Sequence, residues 1–180
     1  GDIHMILTYQ DPAPEKEEAK TEDKKEASKD EIKDLVRPII ASRELETFNI
    51  LYSQRAEDYE NLSNLVDGLL EADPQGKLVP CIAKEWGTED GGLTWTFHLR
   101  QGLKWSDGSD LTAEDFVYSW QRMADPATAA PYAETLLGMV KNFNEITTGA
   151  MDPSELGVSA PDPQTFVVEL AQPCTYFDKI

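Results

Sequence analysis

The chain has 180 residues, of which 40% are hydrophobic, and a formal net charge of -18, so it holds enough apolar material for one medium-sized folded core. Thirty-four carboxylates against sixteen Lys and Arg side chains exclude a nucleic-acid partner, because neutralising phosphates takes clustered cations. The same imbalance disfavours adsorption to an anionic bilayer, and no apolar run reaches the roughly 18 residues that a membrane-spanning helix needs.

The opening Gly1-Asp2-Ile3-His4-Met5 reads as a remnant of a cloning vector, so a leader once carried upstream is compatible with this sequence. From Asp11 to Asp34 the chain is almost free of large apolar side chains, and residues 1–34 hold eleven acidic and six basic groups. Such a stretch buries too little surface to offset its ordering entropy and is expected to be a disordered tether. A solvated helix laced with Glu–Lys pairs is the alternative. Order is expected from Ile32. Leu35 to Ile40 around Pro38 suits an edge strand, and Leu45 to Tyr52 is a second strand candidate.

Tyr59, Leu62, Leu65, Val66, Leu69 and Leu70 recur at three- and four-residue spacing, which predicts one apolar helix face. Gly68 sits within that face for close packing, and Asp73-Pro74-Gln75-Gly76 ends the helix with turn chemistry. Trp86 lies on a short extended piece. Leu93 to Arg100 alternates apolar and polar residues without a fault, a strand with one buried face entered by the turn Asp90-Gly91-Gly92. Lys104 to Ser109 is a strand end running into an Asp-Gly turn. Thr112 caps a helix, with Asp115 returning the bond three residues on. That helix carries Phe116, Val117, Trp120 and Met123 on one side and stops before Asp125-Pro126. Pro131-Tyr132 opens a second helical stretch through Leu136, Leu137 and Val140. Leu156 to Ala160 and Thr165 to Leu170 form a hairpin around Pro161-Asp162-Pro163, with Phe166, Val168 and Leu170 on one face. This mixture of hairpins and helices predicts an α+β fold.

Reactive chemistry is hard to find in these residues. His98 stands in the polar register of its strand, and His4 is the only other histidine, so no Ser-His-Asp constellation or metal cluster is expected. Adjacent carboxylates such as Glu57-Asp58 and Glu114-Asp115 follow from composition, and the second pair has a capping role. Asp107-Gly108 with Asp110 and Glu114 fails the spacing of a calcium loop, and Asp90-Gly91-Gly92 lacks the lysine and helix of a phosphate loop. Trp86, Trp95, Trp105 and Trp120 fall on apolar faces and are expected in the core. No catalytic residue, metal or cofactor is expected. The two cysteines, Cys81 and Cys174, lack metal-ligand spacing and are expected as free thiols, a single bridge being the alternative. Tyr132, at a helix start after proline, is placed to project into a cleft.

The motifs carry more together than apart. Leu69-Leu70, Asp73, Gly76, Leu78, Pro80, Ala83 and Trp86 come first. Trp95-Thr96-Phe97-His98-Leu99-Arg100, Gly102 and Lys104-Trp105-Ser106-Asp107-Gly108 follow. Leu111-Thr112-Ala113-Glu114-Asp115-Phe116-Val117-Tyr118-Ser119-Trp120, Asp125-Pro126 and Pro131-Tyr132 complete the order. This series resembles the oligopeptide-binding protein family, the solute receptors of ATP-binding-cassette peptide importers, from about Leu45 to Ile180. The resemblance implies a type II periplasmic-binding-protein fold, in which two lobes close on an extended peptide and a small mixed α/β domain packs beside the first lobe. It implies that residues 1–31 are remnant and tether, 32–66 belong to the first lobe, and 67–180 form the small accessory domain. The rest of the first lobe and all of the second are then absent from this chain.

Two stretches match ligand contacts of that family. Gln54, Arg55 and Ala56 fall where a backbone segment pairs with bound peptide, a main-chain mode of recognition, and Tyr132 falls at the cleft edge. The implied function is capture of oligopeptides outside the cytoplasm and delivery to an importer permease, without catalysis. Within the fold, a pheromone receptor, an adhesin, or a receptor for dipeptides, nickel or haem are the alternatives. The tether suits a periplasmic receptor or one lipid-anchored on the outer face of the cytoplasmic membrane. Apolar surface left uncovered by the missing lobe is expected to promote self-association.

Overall fold

A computed structural model of the chain describes residues 49–54, 62 and 65–179. Six strands and three short helices are found among them: β1 (Leu70–Ala72), β2 (Leu78–Pro80), β3 (Ala83–Gly87), β4 (Thr94–Leu99), α1 (Ala113–Ala124), α2 (Ala133–Leu137), α3 (Phe143–Thr147), β5 (Val158–Asp162) and β6 (Thr165–Glu169). Strands β1 and β2 form a hairpin, and the other four make an antiparallel sheet in the order β3-β4-β6-β5.

The sheet follows from its period of two. On β4, Trp95, Phe97 and Leu99 are buried while His98 is exposed. On β6, Phe166 and Val168 are buried while Glu169 is exposed. Register pairs Trp95 with Val168 and Phe97 with Phe166, so both apolar rows share one face. Helix α1 covers that face. Its half-buried Phe116 and Trp120 approach Phe166, with ring centroids 5.6 and 5.1 Å away, and the Trp120 contact is edge-on, as the ring quadrupoles prefer. Removing one such large side chain from water stabilises the fold by about 1.5–3 kcal/mol. The helix starts where expected: the Asp115 carboxylate accepts a hydrogen bond from the Thr112 backbone N–H at 2.7 Å, and Asp125 is its C-cap.

The 170–179 segment closes the open side of the core. Cys174 N–H donates to the Gly92 carbonyl at 2.9 Å, and the Trp95 indole N–H donates to the Cys174 carbonyl at 3.1 Å. Gly92, at φ +96°, lies so close that an added Cβ would sit 2.6 Å from the Cys174 backbone. Phe177 is buried against this seam and meets Trp95 with ring centroids 6.1 Å apart.

Several expectations are corrected. The apolar helix face stops short of Leu69 and Leu70. Leu65 and Val66 N–H groups still donate to the Leu62 carbonyl, but the Gly68 and Leu69 carbonyls accept from Ile82 and Ala83, and Leu70 opens β1. Sheet pairing overrides the three-and-four spacing there. Gly68 is accordingly exposed and outside any helix. Asp73-Pro74-Gln75-Gly76 is the hairpin turn between β1 and β2: the Asp73 carboxylate accepts from Gln75 and Lys77 N–H at 2.9 and 2.8 Å. Asn49 to Ser53 is a turn, with Tyr52 and Ser53 N–H groups donating to the Asn49 carbonyl, so this part of the second strand candidate is not extended. The stretch from Tyr132 is helical only to Leu137, and Val140 instead bridges Leu170. The expected 156–170 hairpin is present with shifted bounds and a register irregularity between Ser159 and Asp162. Helix α3 was not anticipated. The tether, the Leu35–Ile40 strand and Tyr59 lie outside the described residues.

Candidate functional site

His98 lies on the exposed side of β4, with Thr165 Oγ1 3.5 Å from its Nδ1. Asp107 closes its turn by accepting from the Ser109 N–H and hydroxyl, beside the Lys104–Asp110 ion pair. Asp90 accepts from Thr94 N–H, the Thr88 hydroxyl and Leu93 N–H, which holds its carboxyl down at about 2. Both cysteines are free. Burial, then the carboxylates of Asp67 and Glu71, push the half-buried Cys81 thiol up, away from nucleophilic thiolate. Among the described residues, no cluster of His, Cys, Asp and Glu is placed to hold a metal ion.

Of the four expected ligand contacts, Gln54 and Tyr132 are described, on separate segments, and Arg55 and Ala56 lie outside the described residues. Gln54 is exposed and follows Ser53, the one buried polar side chain of the described core. The Asn49 side chain accepts from Leu51 N–H at 3.1 Å, so the turn leading to Gln54 is closed by local bonds.

Tyr132 is 39% exposed and is the N-cap of α2, at φ -102° and ψ 9°. This bridge region of backbone space is sparsely occupied and is common among functional residues. Its carbonyl accepts from Leu136 N–H at 3.0 Å. Leu136, one turn along, is 41% exposed, and Met139 is 39% exposed, so apolar side chains continue past Tyr132 toward solvent.

An open apolar groove of about 340 Å³ lies between the β1–β2 hairpin and the helices, with Leu70, Leu78, Trp120, Met123, Leu136 and Phe177 among its walls. It went unread in the sequence because Leu69 and Leu70 mimic a helix face there. A second concavity, on the outer side of β3 and β4, is polar and includes Glu85, Glu89 and His98.

The described residues thus form a small mixed domain with Tyr132 exposed at the start of α2. Residues 77–180, more than half of the chain, match the family of bacterial extracellular solute-binding proteins, family 5 Middle. The chain is 48% identical over 118 residues to the periplasmic oligopeptide-binding protein OppA of Salmonella typhimurium, a match that takes in 65% of this chain and 22% of that protein. It is 40% identical over 117 residues to the periplasmic murein peptide-binding protein MppA of Escherichia coli, covering 64% and 22%. The structure of Haemophilus influenzae OppA in complex with RPPGFSPFR superposes with a TM-score of 0.70 at 42% identity, covering 73% of this chain and 26% of that one. The chain belongs to the family 5 bacterial extracellular solute-binding proteins. It spans about a fifth to a quarter of the length of these relatives. Its fold is that of the type II periplasmic peptide-binding proteins, as the resemblance implied. The relatives are periplasmic solute-binding proteins, and among the described residues no helix is long and apolar enough to cross a membrane.

Proposed function

We propose that this chain is part of an extracytoplasmic receptor that captures oligopeptides and hands them to an ATP-binding-cassette importer, without catalysing a reaction. The observation that carries the reading is the 48% identity over 118 residues to a periplasmic oligopeptide-binding protein. In this reading residues 67–180 are the accessory domain and 32–66 contribute to the first lobe. Gln54, Arg55 and Ala56 pair their backbone with the peptide, which favours main-chain recognition over side-chain selection. Tyr132 offers an aromatic wall at the cleft edge, where ring area binds at low cost in side-chain entropy. Closure of the lobes on the peptide is what the permease would sense.

Native mass spectrometry of the full-length receptor, purified gently from its expression host, tests this. A ladder of adducts from tripeptide to heptapeptide mass supports a broad oligopeptide receptor. A single discrete adduct, or a receptor that fills only with a metal, a bile acid or one cell-wall peptide, would keep the fold and refute the oligopeptide reading.

A further inference from the structure

From the end of α1 to Tyr132 the chain is tied by a series of local hydrogen bonds. The Asp125 carboxylate accepts from Ala127 N–H at 2.9 Å, and the Asp125 carbonyl accepts from Thr128 N–H at 2.9 Å. The Pro126 carbonyl accepts from Ala129 N–H at 3.1 Å, and the Ala130 carbonyl accepts from Ala133 N–H at 3.2 Å. Between these bonds the backbone reverses hand once, at Ala129, which has φ +50°. Alanine disfavours this left-handed region because its Cβ crowds the following carbonyl. Only one other non-glycine among the described residues adopts positive φ, and it is an asparagine, Asn142, a residue type that tolerates it. Pro131 then locks its own φ near about -65° and delivers the chain to Tyr132.

The Ala129 side chain is exposed, so its methyl group does not account for the conformation through core packing. What the position sets is the direction in which the chain leaves α1 and enters α2. We propose that Ala129 is a positioning residue: its left-handed backbone fixes the aim of Tyr132 and so pre-organises the peptide contact. The proposal rests on the reading of Tyr132 as a peptide contact and specifies how the fold holds that side chain. A contact held ready before binding loses less freedom when the ligand arrives.

Because the side chain is solvent-facing, substitutions at 129 report mainly on φ. The test uses the full-length receptor, with an equimolar pool of synthetic tri- to heptapeptides as probe, and reads retained peptide by native mass spectrometry. Ala129→Asn, which tolerates positive φ, is expected to hold affinity within about twofold. Ala129→Val, whose β-branch opposes it, is expected to weaken binding about tenfold. Ala129→Gly permits the angle but loosens it, and an intermediate loss is expected; it serves as the working variant if the valine protein fails to fold. The valine effect should vanish in a Tyr132→Ala background, although melting temperature still falls there. Valine or glycine variants that bind like the parent, or a loss of equal size with Tyr132 removed, would overturn the proposal. If Tyr132→Ala alone leaves affinity unchanged, or the parent retains no peptide, the contact reading itself fails and the proposal falls with it.

Discussion

The sheet beneath α1 and the rim from residue 125 to residue 139 are ordered by different means. In the sheet, order comes from burial: Phe97, Phe166, Val168 and Leu99 are nearly inaccessible, and their alternation decides which way each strand faces. In the rim, Tyr132, Leu136 and Met139 stay about two-fifths exposed. Leu137 is its one buried anchor in the core, and the rest is ordered by turn hydrogen bonds and one strained backbone angle. The proposed receptor function would profit from this division. Burial makes a scaffold that does not yield, and locally bonded loops carry contacts that must remain open to a ligand.

The comparison breaks first if burial is not what holds the sheet. Phe166 is fully buried among Phe97, Phe116 and Trp120, so Phe166→Ala should cost about 4 kcal/mol of stability, read by urea unfolding of this chain. A loss near about 1 kcal/mol would mean that the core collapses around the gap. Gly92→Ala comes next. It forces a Cβ onto the Cys174 backbone at a positive φ, and about 3 kcal/mol is expected from the combined strain. Increased proteolysis confined to the 170–179 segment would show that the seam opens before the sheet does.

A third expectation concerns acid. Asp90 titrates at about 2 when folded, below the ordinary aspartate value, because the Thr94 backbone N–H, with the Thr88 hydroxyl and the Leu93 N–H, bonds its charged form. A depressed carboxyl adds stability that is present above the unfolded value and is lost as pH falls through the folded one. The Asp90 contribution should therefore fade between roughly pH 4 and pH 2. Asp90→Asn should flatten that limb of the acid titration, followed by tryptophan fluorescence; an unchanged limb would place the acid sensitivity elsewhere. The smallest stability effect is expected at Tyr132. Its exposure predicts that Tyr132→Ala shifts unfolding by no more than about 1 kcal/mol, while peptide binding by the full receptor weakens. A large loss of stability would make Tyr132 part of the scaffold and erase the contrast between the two regions. The exposed apolar side chains of the rim also predict self-association of this chain, seen as mass rising with concentration in light scattering.

Where side chains alternate or caps sit at fixed offsets, the sequence determined the structure by itself. The half-buried strand Thr94–Leu99, although Leu93 before it is exposed, Phe166, Val168 and Leu170 on one face, Thr112 with Asp115 at the start of α1, its stop at Asp125, and the burial of Trp95, with the other three tryptophans only partly buried, followed from period and turn chemistry, since these depend on neighbours a few residues away. The family was legible too, because the order of short motifs records a fold that no single motif specifies.

Tertiary structure alone decided the rest. Leu69 and Leu70 carry helical spacing, yet the backbone at Gly68 and Leu69 bonds to Ile82 and Ala83, and a short segment yields to such non-local pairing. Val140 is drawn out of α2 by its bridge to Leu170. The groove beside the β1–β2 hairpin follows from that override, since Leu70 lines it with Leu78 of β2 and with Trp120 and Met123 of α1. Of the candidate site, the position of Tyr132 was readable from Pro131 before it. Its aim was not, because the left-handed turn at Ala129 is sampled by an alanine whose sequence neighbours give no sign of it, and only the closed set of bonds around the loop selects that conformation.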